Sequence, residues 1–105
     1  MMNSQQGMVT EIAILNIKQG TDDAFLASFE QAKNSISSTK GYLQHELLQC
    51  IEKKDQYILI VRWQTLEDHT EGFRKSAAYQ EWKALLHPFY EPFPVVEHYQ
   101  TPTAA

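Results

Sequence analysis

Gln56-Tyr57-Ile58-Leu59-Ile60-Val61-Arg62-Trp63 is apolar without a break from Tyr57 to Val61. Its β-branched and aromatic residues make it a strand. It does not alternate, however. A strand covered on one face alternates apolar with polar, whereas one that is apolar at consecutive positions has both faces buried. Ile12-Ala13-Ile14-Leu15, inside a second strand-like stretch from Val9 to Lys18, has the same character. Two such strands imply a sheet that needs cover on both sides.

The chain around these strands supplies cover for one side only. Gln19-Gly20 ends the first strand, and Thr21 is expected to cap a helix with Asp22 and Asp23 in its first turn, where the helix dipole favours negative charge. Phe25, Phe29, Ala32 and Ile36 form its apolar face. Gly41 is placed as a left-handed stop after Ser37-Ser38-Thr39-Lys40. Tyr42 to Ile51 reads as a strand joined through Glu52-Lys53-Lys54-Asp55 to Gln56–Trp63, a hairpin. Beyond Trp63, Thr65 caps a short helical segment, Leu66 to Phe73. Ser76 caps a further helix with Tyr79, Trp82, Leu85 and Leu86 on its apolar face. His87-Pro88 stops that helix. The prolines of Phe89-Tyr90-Glu91-Pro92-Phe93-Pro94 exclude regular structure, and Val95 to Tyr99 is a last strand.

The order β-α-β-β-α-β defines an α+β, ferredoxin-like fold. It has a four-stranded antiparallel sheet with both helices on one face. Residues 8–100 make a single domain, with 1–7 a flexible leader and 101–105 a flexible tail. No further element is left for the second face of the sheet. A second copy of the chain, sheet against sheet, is the economical cover, so a homodimer through the open face is expected.

Composition narrows the function. The chain has 105 residues, and its net charge of −4 argues against a phosphate-neutralising, nucleic-acid-binding surface. No apolar run approaches the ~18 residues that a membrane span needs. The single cysteine, Cys50, suits a reduced, cytoplasmic setting. There is no phosphate-cradling glycine loop, nucleophile elbow, or nucleotide or flavin fingerprint, so no cofactor is expected. His69, His98 and Glu97 or Glu67 form the one metal set that can be drawn, but no ligand pair has metal-binding spacing, and no metal is expected.

Histidines are the candidates for proton chemistry. His45 reads as a solvated rim residue, and His87 as a helix end whose charge suits the C-terminal dipole. His69 and His98 come from elements beside the helix–sheet gap. Either they face a common pocket or they are separate, hydrogen-bonded histidines at the core's edge. Aromatic residues crowd the second half of the chain, where Trp63, Phe73, Trp82 and Phe89 suit a flat ligand as well as a core. Arg74 beside them suits an anionic group.

Val61-Arg62-Trp63-Gln64-Thr65-Leu66-Glu67-Asp68-His69, followed by Gly72-Phe73-Arg74-Lys75-Ser76, Tyr79-Gln80-Glu81-Trp82 and the closing Phe89–Pro94 to His98-Tyr99, resembles the antibiotic biosynthesis monooxygenase domain. The resemblance spans about Met8 to Tyr99. It implies a dimeric α+β barrel with a pocket between sheet and helices. It also implies a cofactor-independent monooxygenase acting on a small aromatic or quinone-like compound. Trp63 matches the family's Trp at the end of the third strand. His69 falls where polyketide-oxidising members carry a polar aromatic residue, which makes it the leading catalytic candidate, with His98 second. Trp63, Phe73, Arg74, Trp82 and Phe89 are the expected substrate contacts. The haem-degrading branch needs an Asn, a Trp and a His where this chain has Ala13, Gly72 or Phe73, and Lys83, so haem degradation is not expected. The oxygenase branch also uses a first-strand Asn. Asn16 lies in this strand but does not fall at that position when the strands are matched at Gly20, which keeps open the alternative of a non-enzymatic, ligand-binding or sensing dimer.

Overall fold

The computed structural model describes residues 8–102. The leader and the end of the tail lie outside the described residues. Four strands, β1 (Val9–Asn16), β2 (Tyr42–Gln49), β3 (Gln56–Trp63) and β4 (Val96–Tyr99), form one antiparallel sheet in the order β2-β3-β1-β4. Helices α1 (Asp22–Ser37) and α2 (Ala77–Leu86) join them in the chain order β-α-β-β-α-β. The ferredoxin-like expectation holds, and β3 keeps its expected bounds.

Smaller features differ. β1 stops at Asn16, and Ile17 instead makes an isolated bridge to Tyr90. β2 stops at Gln49, because the backbone turns from Cys50. Thr21 stands at the start of α1 but caps nothing with its side chain. Its hydroxyl donates instead to the Lys18 carbonyl. Ser76 does cap α2, its Oγ accepting from the Tyr79 N–H at 3.1 Å. Thr65 Oγ1 likewise accepts from the Asp68 N–H at 3.1 Å. The short segment after it is a π-helical turn, Asp68–Phe73. Gly41 takes φ +86°, as a left-handed stop requires. A Cβ there would meet the Asp68 side chain at 2.1 Å.

The core lies between the sheet and the helices. Phe25, Phe29, Ala32 and Ile36 of α1 and Trp82 and Leu86 of α2 pack on Ala13, Leu15, Tyr57, Leu59, Val61 and Trp63 of the sheet. Burial of each large apolar side chain is worth about 1.5–3 kcal/mol. Two polar contacts fix the layers. The Ser35 hydroxyl donates to Glu81 Oε1 at 2.9 Å, joining α1 to α2. The Tyr57 hydroxyl donates to Asp22 Oδ2 at 2.7 Å, joining β3 to the start of α1.

The opposite sheet face has no cover among the described residues. Leu48, Ile58 and Ile14 line up across three strands in register, and Ile60 and Ile12 form the next row. Ile14 and Leu48 remain about half exposed, at 50% and 47%. The apolar second face read from the sequence is therefore present on the surface.

Candidate active site

β1 presents Glu11, Ala13 and Leu15 to the core, since alternate residues share a face. Glu11 thus points inward. It lies directly opposite His98 of β4 and on the diagonal from Trp63, whose own partner is Val9. Trp63 is fully buried, and its indole N–H donates to Glu11 Oε1 at 2.9 Å.

The π-helical turn brings the next group. The Arg74 N–H bonds back to the His69 carbonyl, five residues earlier, at 3.0 Å. That wider turn places both His69 and Phe73 inside, with their rings roughly parallel, centroids 6.3 Å apart. π-turns recur at functional sites for this reason: they re-aim side chains within a helix. The His69 ring stacks on Trp63 at 5.2 Å. Its Nε2 lies 3.4 Å from Glu11 Oε1, and its Nδ1 lies 2.8 Å from His98 Nε2. The structure therefore brings His69 and His98 together and adds Glu11 to them.

Electrostatics inverts the usual order of this pair. Burial pushes the Glu11 carboxyl up from 4.5 to about 7, against the Trp63 hydrogen bond and the Arg74 charge, which pull it down. Burial drives the His69 imidazole down from 6.5 to about 3, with Arg74 and His98 adding to it. His98 is lowered too, by burial and then Arg74. Hence a proton on the pair sits on the carboxyl and not on the ring. Near neutrality Glu11 exchanges between acid and carboxylate beside a neutral imidazole. Keeping both groups uncharged, or only one charged, avoids the cost of a buried ion pair.

A cavity of about 330 Å³ opens against this cluster, between the sheet, the π-turn, α2 and the chain after it. Glu11, His69 and Arg74 supply polar wall. Phe73, Trp82 and Phe93 are among its apolar wall. His87 and Tyr90 complete it from the segment after α2. Burial, then Glu11 and Tyr79, push the Tyr90 hydroxyl upward. The size and the mixture suit a small, flat ligand held by a few polar groups.

The expected site residues divide as follows. His69, Phe73, Arg74 and Trp82 line the cavity. His98 does not line the cavity; it lies behind His69, hydrogen-bonded to it, and pairs across the sheet with Glu11. Trp63 also lies behind the wall, as the hydrogen-bond donor to Glu11. Phe89 turns away and packs edge-on against Phe25 at 5.8 Å. His45 is a half-buried residue at the Tyr42 hydroxyl, beneath Phe29. His87 does end α2, and its ring also packs on Phe93 at 4.8 Å and faces the cavity. Sequence reasoning missed Glu11, His87, Tyr79 and Tyr90 as wall residues. The signal for Glu11 was its parity with Ala13 and Leu15. That parity was ambiguous, because Ile12 and Ile14 make the other face equally apolar. Among the described residues, no group of three or more His, Cys, Asp or Glu is arranged to hold a metal ion. Nor is any helix among them long and apolar enough to cross a membrane.

A ferredoxin-like sheet with a walled pocket between sheet and helices defines a small α+β protein of the ligand-pocket type. Its sequence matches the antibiotic biosynthesis monooxygenase family over residues 8–85, and the chain belongs to that family. An uncharacterised protein of Bacillus subtilis strain 168, YczJ, is 58% identical over 93 residues, covering 89% of this chain and 98% of that protein. The crystal structure of a Bordetella bronchiseptica protein named for the same family superposes with a TM-score of 0.87 at 34% identity, covering 92% of this chain and 99% of that one. SnoaB, a cofactor-independent oxygenase from Streptomyces nogalater, shares the fold with a TM-score of 0.73 at 16% identity, over 94% of this chain and 95% of its own.

Proposed function

We propose that this chain is a cofactor-independent monooxygenase of a small aromatic or quinone-like compound. It would work as a homodimer through the open sheet face, in the cytoplasm. One observation carries the reading: a carboxyl–imidazole pair, Glu11 and His69, is built into the wall of an aromatic-lined cavity. Proton removal from an electron-rich phenol or hydroquinone is the protein's part in such chemistry. The resulting anion is oxidised by dioxygen itself. In the balanced reaction a ring C–H ortho or para to the phenolic hydroxyl becomes C=O as the phenol becomes a quinone, one oxygen atom enters the product and the other leaves as water. The four electrons that reduce dioxygen come from the phenol ring. The apolar wall excludes water and stacks on the ring, while Arg74, His87 and Tyr90 reach the oxygen atoms. Preorganised donors of this kind stabilise developing negative charge.

Oxygen uptake measured against a panel of hydroquinones, hydroxynaphthalenes and anthrones tests it. The expected outcome is uptake above the spontaneous rate for at least one compound, one oxygen per product, falling at least tenfold in His69→Ala with the fold intact. Ligand-induced thermal shifts without uptake for any compound would replace the enzyme by a binding or sensing protein.

A further inference from the structure

Two hydrogen-bonding groups meet at Glu11, and both meet the same oxygen. Oε1 is committed: it accepts the Trp63 N–H at 2.9 Å and faces His69 Nε2 at 3.4 Å. Among the described residues Oε2 has no hydrogen-bond partner, and Glu11 lines the cavity. His69 is in the opposite position. One ring nitrogen faces Glu11 and the other faces His98, while the ring face is covered by Trp63. The ring has no nitrogen left for a ligand. His87 also faces the cavity, but it sits among Tyr79, Tyr90 and Phe93 without a hydrogen bond, among the described residues, to orient either nitrogen.

We propose that Glu11, through Oε2, is the proton-accepting catalytic residue for a ligand bearing an acidic hydroxyl, with His69 and His98 as its positioning residues. This rests on the aromatic-ligand reading above. In the step, the ligand's O–H bond breaks and its proton forms a new O–H bond to Oε2. The electron pair stays on the ligand oxygen, giving a phenolate or enolate, and nothing is oxidised or reduced. Trp63 holds the carboxyl in place from the β3 side. His69 from the π-turn takes the other approach to Oε1, and His98 from β4 holds the His69 ring through its far nitrogen. The charges facing Glu11 are those of Arg74, after the π-turn, and the titratable hydroxyls and ring of Tyr79, Tyr90 and His87, from α2 and the segment after it. Of these, Arg74 favours the carboxylate. The ligand class that follows is a flat aryl alcohol whose hydroxyl reaches the floor of the cavity.

Binding of 2-naphthol, followed by quenching of tryptophan fluorescence from pH 5 to 9, tests the assignment. Like tyrosine, a simple phenol ionises near pH 10 (about) and so stays neutral over most of this range. A charge-assisted hydrogen bond is roughly twice as strong as a neutral one, so binding should tighten about fivefold as Glu11 ionises. Glu11→Gln should lose this step while retaining the fold, because the amide oxygen still accepts the Trp63 N–H. His69→Asn should keep the step with its midpoint moved. Circular dichroism and melting temperature establish folding for each variant. Binding without a pH step in the wild type overturns the proposal. So does a step that persists in Glu11→Gln and disappears in His69→Asn or in His87→Asn, and so does no binding at all. A Glu11-dependent step together with no oxygen uptake on any phenol would leave Glu11 as the ligand's proton acceptor and remove only the monooxygenase reading.

Discussion

Glu11 and His69 also govern how stability depends on pH, and they act in opposite directions. Glu11 has its carboxyl raised to about 7 in the folded chain. Folded protein therefore binds more protons than unfolded from about pH 4.5 upward. Stability falls as pH rises through this window and levels off above about pH 7. His69 is depressed to about 3. Unfolded protein then binds more protons between about pH 3 and 6.5, and stability rises with pH there. Each effect has a limiting slope of about 1.4 kcal/mol per pH unit. Between about pH 4.5 and 6.5 they largely cancel. Denaturant titrations should show a wild-type stability nearly flat across that window. Glu11→Gln should show one that climbs, and His69→Asn one that declines towards pH 7. Parallel curves for all three proteins would refute the inverted proton order of the pair.

At the scale of elements, the two halves of the site depend on local devices. Ser76 starts α2, which carries Trp82 and Tyr79 to the cavity. Ser76→Ala should cost about 1 kcal/mol, the usual loss for a helix cap, read as a lower urea midpoint. Gly41 holds the backbone at φ +86° where Asp68, the first residue of the π-turn, crowds it. Gly41→Ala combines a strained dihedral with a forced shift of Asp68, so a loss of at least about 1 kcal/mol is expected. The π-turn should feel it, and reduced near-ultraviolet circular dichroism from the Trp63–His69 stack is the accompanying sign. Strand β3 and both serine and threonine caps, Ser76 and Thr65, were legible because each depends on neighbours in sequence. The π-turn was not legible. An ordinary helix and a π-turn over Asp68–Phe73 differ by one hydrogen-bond step, which tertiary packing of His69 against Trp63 decides. Glu11 escaped for a related reason. Its inward direction depends on which of two apolar faces meets the helices, and β1 alone does not say.

Across the whole molecule, the open sheet face and the cavity share the strand β1. Ile12 and Ile14 point one way, Glu11 and Ala13 the other. The consecutive apolar residues of β1 and β3 made the uncovered face legible at once, because the number of elements was too small to bury it. The dimer proposed for that face has a direct check. Ile60 lies in its middle, across from Ile12 and Glu46. Ile60→Lys should convert a sedimenting dimer into a monomer with unchanged secondary structure, since a buried unpaired ammonium is strongly unfavourable. A wild-type chain that sediments as a monomer would remove the homodimer instead.

The pairing of β4 with β1 sets Thr10 against Tyr99 and Glu11 against His98. Those partners stand almost a full chain length apart, and β1 is interior to the sheet while β4 is its last-made edge. Closing such a loop carries a large entropic cost before any contact repays it. The pocket's proton machinery thus draws on two stages of the chain: Glu11, Trp63 and His69 precede β4, and His98 joins them last. Glu11, His69 and His98 come from β1, the π-turn and β4, so during synthesis all three meet only once β4 has left the ribosome. Up to that moment the nascent sheet carries an unfilled edge on β1.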